Sequence, residues 1–324
     1  MSAALDADDV LRRAAAEVFE AVDAAVAGRG LPALAPWLLG SSPPSTRELA
    51  RAATGAEQLA LYGATVSAHE ALASRFGEPA GVLGVSFGEI AALTSAGVWT
   101  VADGARVAHD LARVLTTCPG GLTLLSCDES TAAALVAHDD TAGVTVACVN
   151  DATETVVSGP VPELARVERR ALRTGTTATR LRLPFSSHHP ALERQAGRFA
   201  EAVRARLRAS PRCPVYSAVA GGPYTAHDDL GARLSDCLTR PARLPAVLDR
   251  LVTDGFTSFY EAGPGTALTR SACRAMPFGR ATFSSPLAAP RPRPGTARPE
   301  NGEPTAPPLP PVAPVPPAES GPRS

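Results

Sequence analysis

The sequence predicts an α/β protein in which a larger α/β unit carries an inserted ferredoxin-like subdomain. Two patterns lead there: a strand–turn–helix elbow at Val82–Ala92, and a β-α-β-β-α-β succession between Leu122 and Leu183. In the elbow, the apolar run Val82–Val85 predicts a buried strand and Ile90–Leu93 the start of a helix. Gly84-Val85-Ser86-Phe87-Gly88 between them is a G-x-S-x-G pattern. In such a turn the serine takes a strained backbone conformation that exposes its hydroxyl, and a Cβ on either glycine is expected to collide with the strand and helix. The helix N-terminus beneath the serine offers free N–H groups and a positive dipole end to a developing oxyanion. Without a partner base, the same pattern is only a glycine-rich turn with an idle serine.

The first half of the chain is helical. Leu11, Ala14, Ala15, Val18, Phe19, Val22 and Val26 follow the helical period over Asp8–Val26, with Asp6 or Asp8 as cap. Gly28–Pro44 is expected to be a loop, followed by helices over Ser45–Ala53, Glu57–Phe76 and, beyond the elbow, Val101–Leu115. The insert has strands at Leu122–Cys127, Val144–Val149, Thr155–Ser158 and Thr176–Leu183, and helices at Ser130–His138 and Val161–Arg173. The chain then returns to the larger unit with a helix from Pro190 to about Ala209 and a strand at Val215–Val219. Helices at Asp229–Leu238 and Pro245–Asp254 and a strand at Ser258–Glu261 complete it. From Ser285 onward, 14 of the 31 prolines fall in the last 40 residues. Such a composition cannot bury a core and reads as a disordered, solvated tail.

Composition narrows the function. A net charge of −1 and 5% aromatic residues provide no basic field for nucleic acid. All 31 basic residues are arginine, so lysine Schiff-base chemistry is excluded. The six cysteines show no C-x-x-C spacing, there is no signal-peptide pattern, and no apolar run approaches the ~20 residues of a membrane span. A cytoplasmic protein with reduced thiols is the expectation.

A serine hydroxyl needs a neighbouring base. Of the six histidines, His69, His109 and His138 sit in ordinary helical patterns, and His227 lies in a polar loop beside Asp228 and Asp229. His188 differs. It lies where the insert hands the chain back, preceded by the small residues Ser186 and Ser187.

Four runs, Gly84–Ala92, Ser187-His188-His189-Pro190, Val215-Tyr216-Ser217 and Tyr260-Glu261-Ala262-Gly263-Pro264-Gly265, stand in a telling order and spacing. Together they resemble the malonyl-CoA:acyl-carrier-protein transacylases and the acyltransferase domains of polyketide synthases, over about Asp8–Phe283. The chain is similar in particular to the discrete acyltransferase homologues of aromatic polyketide pathways. The resemblance implies an α/β-hydrolase-like core from residues 1–121 and 184–284, a ferredoxin-like subdomain over 122–183, and a tail over 285–324. It makes Ser86 the acylated nucleophile and His188 the general base. The Phe87 N–H becomes an oxyanion donor, and Cys237 the position whose carbonyl orients the histidine. His189 is given no catalytic part.

Departures from the family pattern bear on the substrate. The family's first strand, ending in a Gly-Gln-Gly type loop with the second oxyanion donor, would precede residue 1. Val85 stands where a histidine is usual, and Leu111 where an arginine pairs with the extender unit's carboxylate. Phe185-Ser186-Ser187 resembles the wider-pocket form of the specificity motif. Val85, Leu111, Phe185 and Ser187 are therefore expected to line an acyl pocket suited to a non-carboxylated, starter-type acyl group, because a carboxylate buried without its guanidinium is strongly disfavoured. The implied reaction is ping-pong acyl transfer to acyl carrier protein, with a ketosynthase as a further partner and no nucleic acid or membrane involved. It needs no metal and no tightly bound cofactor; coenzyme A or phosphopantetheine thioesters are the substrates. Two other classes fit the sequence: an editing acyl-carrier-protein thioesterase with the same dyad, and a non-catalytic carrier-protein or synthase-binding module.

Overall fold

The computed structural model describes residues 2–288 except 264, 277 and 278. The described residues form one compact unit with a mixed α/β fold. Ten strands fall into three sheets among the described residues. β1 (Val82–Gly84) leads into the elbow. β2 (Gly121–Leu125), β3 (Thr145–Asp151), β4 (Glu154–Gly159) and β5 (Ala178–Arg180) belong to the insert. β6 (Val215–Ser217), β7 (Gly222–Pro223), β8 (Ala242–Arg243), β9 (Ser258–Tyr260) and β10 (Thr282–Ser284) follow the return of the chain.

The largest core is helical. The helix Asp9–Val26 starts where sequence places it, with the Asp8 carboxylate accepting from the Val10 and Leu11 N–H groups. Its Leu11, Ala15, Val18, Phe19 and Val22 are buried against Leu59, Tyr62 and Val66 of the helix Ala56–Phe76. The contact is close because residue 63 is glycine: a Cβ there would lie 2.5 Å from the Phe19 ring. The helix Val101–Leu115 and the elbow helix Gly88–Ser95 complete this layer, joined by Tyr62, whose hydroxyl donates to the Val101 carbonyl (2.9 Å) and lies 3.1 Å from Thr94 Oγ1, from which it can accept.

The insert follows the order expected of it, with helices Glu129–Val136 and Val161–Arg173 between its strands. Its strands lie side by side as β5-β2-β4-β3, every neighbouring pair antiparallel. β8 then extends that sheet by pairing parallel to β3, Cys148 opposite Ala242 and Val149 opposite Arg243. The insert is thereby hydrogen-bonded to the segment that carries the return chain. Arg274 reinforces this junction, pairing with the fully buried Asp151 (3.1 Å) and with Glu154 (3.0 Å).

Several expectations change. The presumed loop Gly28–Pro44 contains a helix, Leu34–Leu39, because the Asp23 carboxylate accepts from the Leu34 and Ala35 N–H groups and so satisfies the first turn. The helix expected over 190–209 is a 3₁₀ turn, Pro190–Leu192, followed by Glu193–Arg204. Helix Ala267–Ala275 and strand β10 are absent from the sequence reading. Residues 285–288 stay on the body, with Leu287 buried in the main core, so the assigned tail starts at least four residues later. Its remainder, 289–324, lies outside the described residues. No helix among the described residues is long and apolar enough to cross a membrane.

Candidate active site

Ser86 has φ +54°, in the left-handed region that a non-glycine residue enters only under constraint. The constraint comes from both sides. β1 is pinned to β6 in parallel register, with Val82 N–H donating to the Pro214 carbonyl (3.0 Å). Immediately after the serine, the Gly88, Glu89 and Ile90 N–H groups close the first turn onto the carbonyls of Val85, Ser86 and Phe87. Gly84 is indispensable, since its Cβ would sit 2.4 Å from Glu89 Cα. Gly88 is not: a Cβ there meets nothing within 4 Å. The expected collision at the second glycine is therefore absent, because its φ is ordinary and its side-chain direction opens to free space.

His188 sits 102 residues later in sequence and has the same φ of +54°, which the sequence did not announce. It is 1% exposed. Its Nδ1 lies 2.7 Å from the Arg240 carbonyl and its Nε2 lies 2.8 Å from Ser86 Oγ. A carbonyl only accepts, so Nδ1 carries the proton and Nε2 presents its lone pair to the serine hydroxyl. Burial pushes the imidazole below its usual 6.5, opposed by the hydrogen bond to Arg240. A buried neutral base aimed at a hydroxyl is the arrangement that activates a serine.

The orienting carbonyl was expected at Cys237 and is found at Arg240. Cys237 lies inside the helix Leu230–Thr239, where carbonyls point along the helix axis. Arg240 is the C-cap, with extended backbone (φ −115°, ψ 147°), which turns its carbonyl out to the imidazole. Cys237 serves through its thiol instead, at 3.4 Å from Glu89 Oε1 and 3.8 Å from the Ser86 carbonyl. The Phe87 N–H, the expected oxyanion donor, stands at the N-cap of the elbow helix and has no acceptor among the described residues. His189 ties the site to the insert: its Nε2 meets the Gly143 carbonyl at 2.6 Å while its own N–H donates to the Leu238 carbonyl.

Sequence reasoning missed Glu89. It is fully buried in the first turn of the elbow helix and accepts from Ser217 Oγ (2.8 Å), Tyr224 Oη (2.5 Å) and the Cys237 thiol. Burial raises its carboxyl to about 7, against the lowering effect of these three donors and of Arg233. A lone acid within Gly-Glu-Ile-Ala-Ala-Leu, in an otherwise apolar run, was the available signal. Of the Val215-Tyr216-Ser217 run only Ser217 reaches Glu89; the Tyr216 hydroxyl donates to Asp254 instead (2.7 Å).

The four residues expected to line the acyl pocket sit in different surroundings. Along β1, alternate side chains face opposite sides, so Val82 packs with the helical core while Leu83 and Val85 pack with a second core around Leu248 and Leu251. Phe185 lines a different cavity with Arg180, Leu183 and Leu115, and Leu111 is buried in the helical core. Ser187 is half-buried. Phe87, Phe185 and Leu111 do share that core, so the part of the assignment on this side stays together.

Residues 12–277 match the family model described as acyl transferase domain. The chain belongs to this family. Among its relatives, the polyketide biosynthesis protein ThaF of Burkholderia thailandensis is 32% identical over 197 residues, 60% of this chain and 17% of that protein. The chain thus spans a small part of the length of this curated relative. The acyltransferase domain from the second module of the salinomycin polyketide synthase is 27% identical with a TM-score of 0.74, covering 90% of this chain and 66% of that one. A type II polyketide malonyl-transacylase solved in complex with its acyl-carrier protein has the same fold at 18% identity (TM-score 0.75, 86% and 89% covered). In this acyl transferase domain, then, the elbow serine and the junction histidine expected from sequence do meet.

The glycine geometry has a direct test. Gly84→Ala should lower unfolding stability by about 1–3 kcal/mol through overpacking, with Gly88→Ala within about 1 kcal/mol of wild type, in matched urea titrations. A second test concerns pH. Because burial disfavours the imidazolium, neutral His188 should persist below pH 6.5. The acidic limb of Ser86 reactivity, followed by single-turnover acylation, should therefore have its midpoint below 6.5; a midpoint above it contradicts the assigned base.

Proposed function

We propose that this acyl transferase domain moves a non-carboxylated, starter-type acyl group between a thioester and acyl carrier protein in polyketide biosynthesis, through acyl-Ser86. The observation that carries the reading is the 2.8 Å contact of Ser86 Oγ with a buried His188 whose Nδ1 is engaged by the Arg240 carbonyl. In this scheme His188 Nε2 takes the hydroxyl proton as Ser86 Oγ attacks the thioester carbonyl. The oxyanion forms beside the Phe87 N–H and the elbow helix terminus. Collapse expels the thiolate, which takes the proton back from His188. A phosphopantetheine thiol, deprotonated by the same histidine, then reverses the sequence. We read the body as an α/β-hydrolase-like core (1–121 and 184–284) and the 122–183 insert as ferredoxin-like, the β5-β2-β4-β3 antiparallel order supporting the second assignment. Coenzyme A or carrier-protein thioesters suffice as substrates, with no metal or tightly bound cofactor. The solved malonyl-transacylase in complex with its carrier protein supports acyl carrier protein as the partner.

The preference for an uncharged acyl group rests on Leu111, which is buried among apolar side chains where the family resemblance places an arginine. Arg106, on the same helix as Leu111, is engaged with Asp103.

Two measurements bear on this function. Incubated with acetyl or propionyl thioesters, wild type should gain one acyl mass that Ser86→Ala lacks, and His188→Ala should acylate about 10²–10⁴-fold more slowly. The acyl-enzyme should persist for minutes alone and discharge on addition of carrier protein; hydrolysis at one rate with and without carrier would make this a thioesterase, and no acylation at all a binding module. For the pocket, Leu111→Arg should shift the malonyl-to-acetyl acylation ratio at least tenfold toward malonyl in a stably folded variant. An unchanged ratio removes Leu111 from the acyl pocket.

A further inference from the structure

The base is held at its flanks as well as at its ring. On one side the Ser186 N–H donates to the Cys118 carbonyl (3.0 Å), and the Ser186 hydroxyl reaches the Gly159 carbonyl at 3.4 Å. On the other side the His189 N–H donates to the Leu238 carbonyl (2.8 Å), and His189 Nε2 lies 2.6 Å from the Gly143 carbonyl. Each flank thus has one backbone bond to the core and one side-chain bond to the insert. A residue at φ +54° keeps that conformation only where its surroundings over-determine it, and these four bonds bracket His188.

The bond from His189 is the shorter of the two side-chain links, and its direction is fixed. Its Nδ1 accepts from the Ala191 N–H (3.1 Å), so the ring proton is on Nε2 and is donated to Gly143. The acceptor is itself firmly placed. Gly143 follows the 3₁₀ turn Asp139–Thr141, where the buried Thr141 hydroxyl donates to the His138 carbonyl (2.8 Å) and the Val144 N–H returns to the Thr141 carbonyl (3.0 Å). The end of β4 closes on the same carbonyl, since a Cβ on Gly159 would lie 2.7 Å from the Gly143 oxygen. A carbonyl so confined passes its position on to the residue bonded to it.

We propose that His189 is a positioning residue for the dyad: its imidazole pins the His188 backbone to the Gly143 turn of the insert, and so keeps His188 Nε2 within bonding distance of Ser86 Oγ. The inference rests on the Ser86–His188 reading of the site. Its leverage is short, because His189 is the next residue in the chain, and a misplacement of about 1 Å at a reacting group can cost 10²-fold in rate. The bond to the Leu238 carbonyl uses the backbone and survives a change of side chain. Substitution at 189 therefore removes only the two ring bonds, and these can be separated. Glutamine carries an N–H close to the place of Nε2, and asparagine an oxygen close to the place of Nδ1.

The experiment uses the full chain and follows labelling of Ser86 by a fluorophosphonate, which reports on the dyad whether or not a given thioester is a substrate. Ser86 Oγ bonds to phosphorus, fluoride leaves, and the hydroxyl proton passes to His188 Nε2. His189→Ala should label about 10–100-fold more slowly than wild type, His189→Gln within about threefold of wild type, and His189→Asn as slowly as the alanine variant. With acetyl thioester the same order should appear in the maximal acylation rate, the half-saturating concentration staying within twofold. In wild type at pH 8, long-range ¹⁵N–¹H spectra should place the His189 proton on Nε2 and the His188 proton on Nδ1, a measurement that needs no variant to fold. Wild-type labelling by a folded His189→Ala overturns the proposal, as does a His189 proton on Nδ1. Rescue by asparagine and not glutamine also overturns it, because the ring then serves only to cap the turn at Ala191. Wild type that takes no acyl group while the fluorophosphonate order holds counts against the acyl-transfer reading and supports His189; no labelling of wild-type Ser86 removes the dyad and this proposal together.

Discussion

Glu89 keeps a carboxyl group where solvent does not reach, and the site is arranged around that fact. A buried carboxylate is tolerated only when its oxygens are met by donors. Here they come from three separate places in the chain: Ser217 at the end of β6, Tyr224 just beyond β7, and Cys237 in the helix whose C-cap holds His188. Satisfying one acid thus fixes the elbow helix, the strand beneath it and the support of the base relative to one another. Tyr224 is in turn covered by the Arg233 guanidinium at 5.5 Å from its ring, which brings a positive charge near the acid without a direct ion pair. The elbow that carries Ser86 and the helix whose C-cap supports His188 are thus both tied to this one acid.

Much of this was legible in the residues. Strand, turn and helix at Val82–Ala92 follow from a short apolar run, two glycines and a helical pattern, all local signals. The insert was legible for the same reason, since each of its six elements carries its own periodicity. His188 stood out by its position at a chain junction and by small neighbours. What stayed hidden depends on pairing between distant segments. Neither β7 nor β8 exceeds two residues, too short for any period, and each exists only because β6 or β3 lies alongside. The Arg240 carbonyl belongs to the backbone, so its side chain carries no trace of the role. Glu89 was visible as an acid in an apolar run, but nothing local says which hydroxyls reach it. The acyl-pocket assignment separated at Val85 because sequence gives the alternation of a strand but not which side the substrate occupies.

The insert is more than an appendage. β8 and Arg274 bind it from the return segment, and the His189 imidazole meets the Gly143 carbonyl at the turn before β3. The residue next to the base is therefore a strut between insert and core. Movement of the insert would reach the His188 backbone through one peptide unit, whereas Ser86 is held from the core side by β6 and Glu89. The two halves of the dyad take their positions from different parts of the fold.

The matching φ of +54° at Ser86 and His188 sets fold stability against chemistry. Both residues carry a Cβ in a backbone region that disfavours it by roughly 1–2 kcal/mol, a penalty glycine does not bear. The two side chains proposed to carry the reaction therefore occupy positions where the fold alone would favour glycine. A serine and a histidine at these positions carry a backbone cost that the fold itself does not require, and the proposed chemistry is what would offset it.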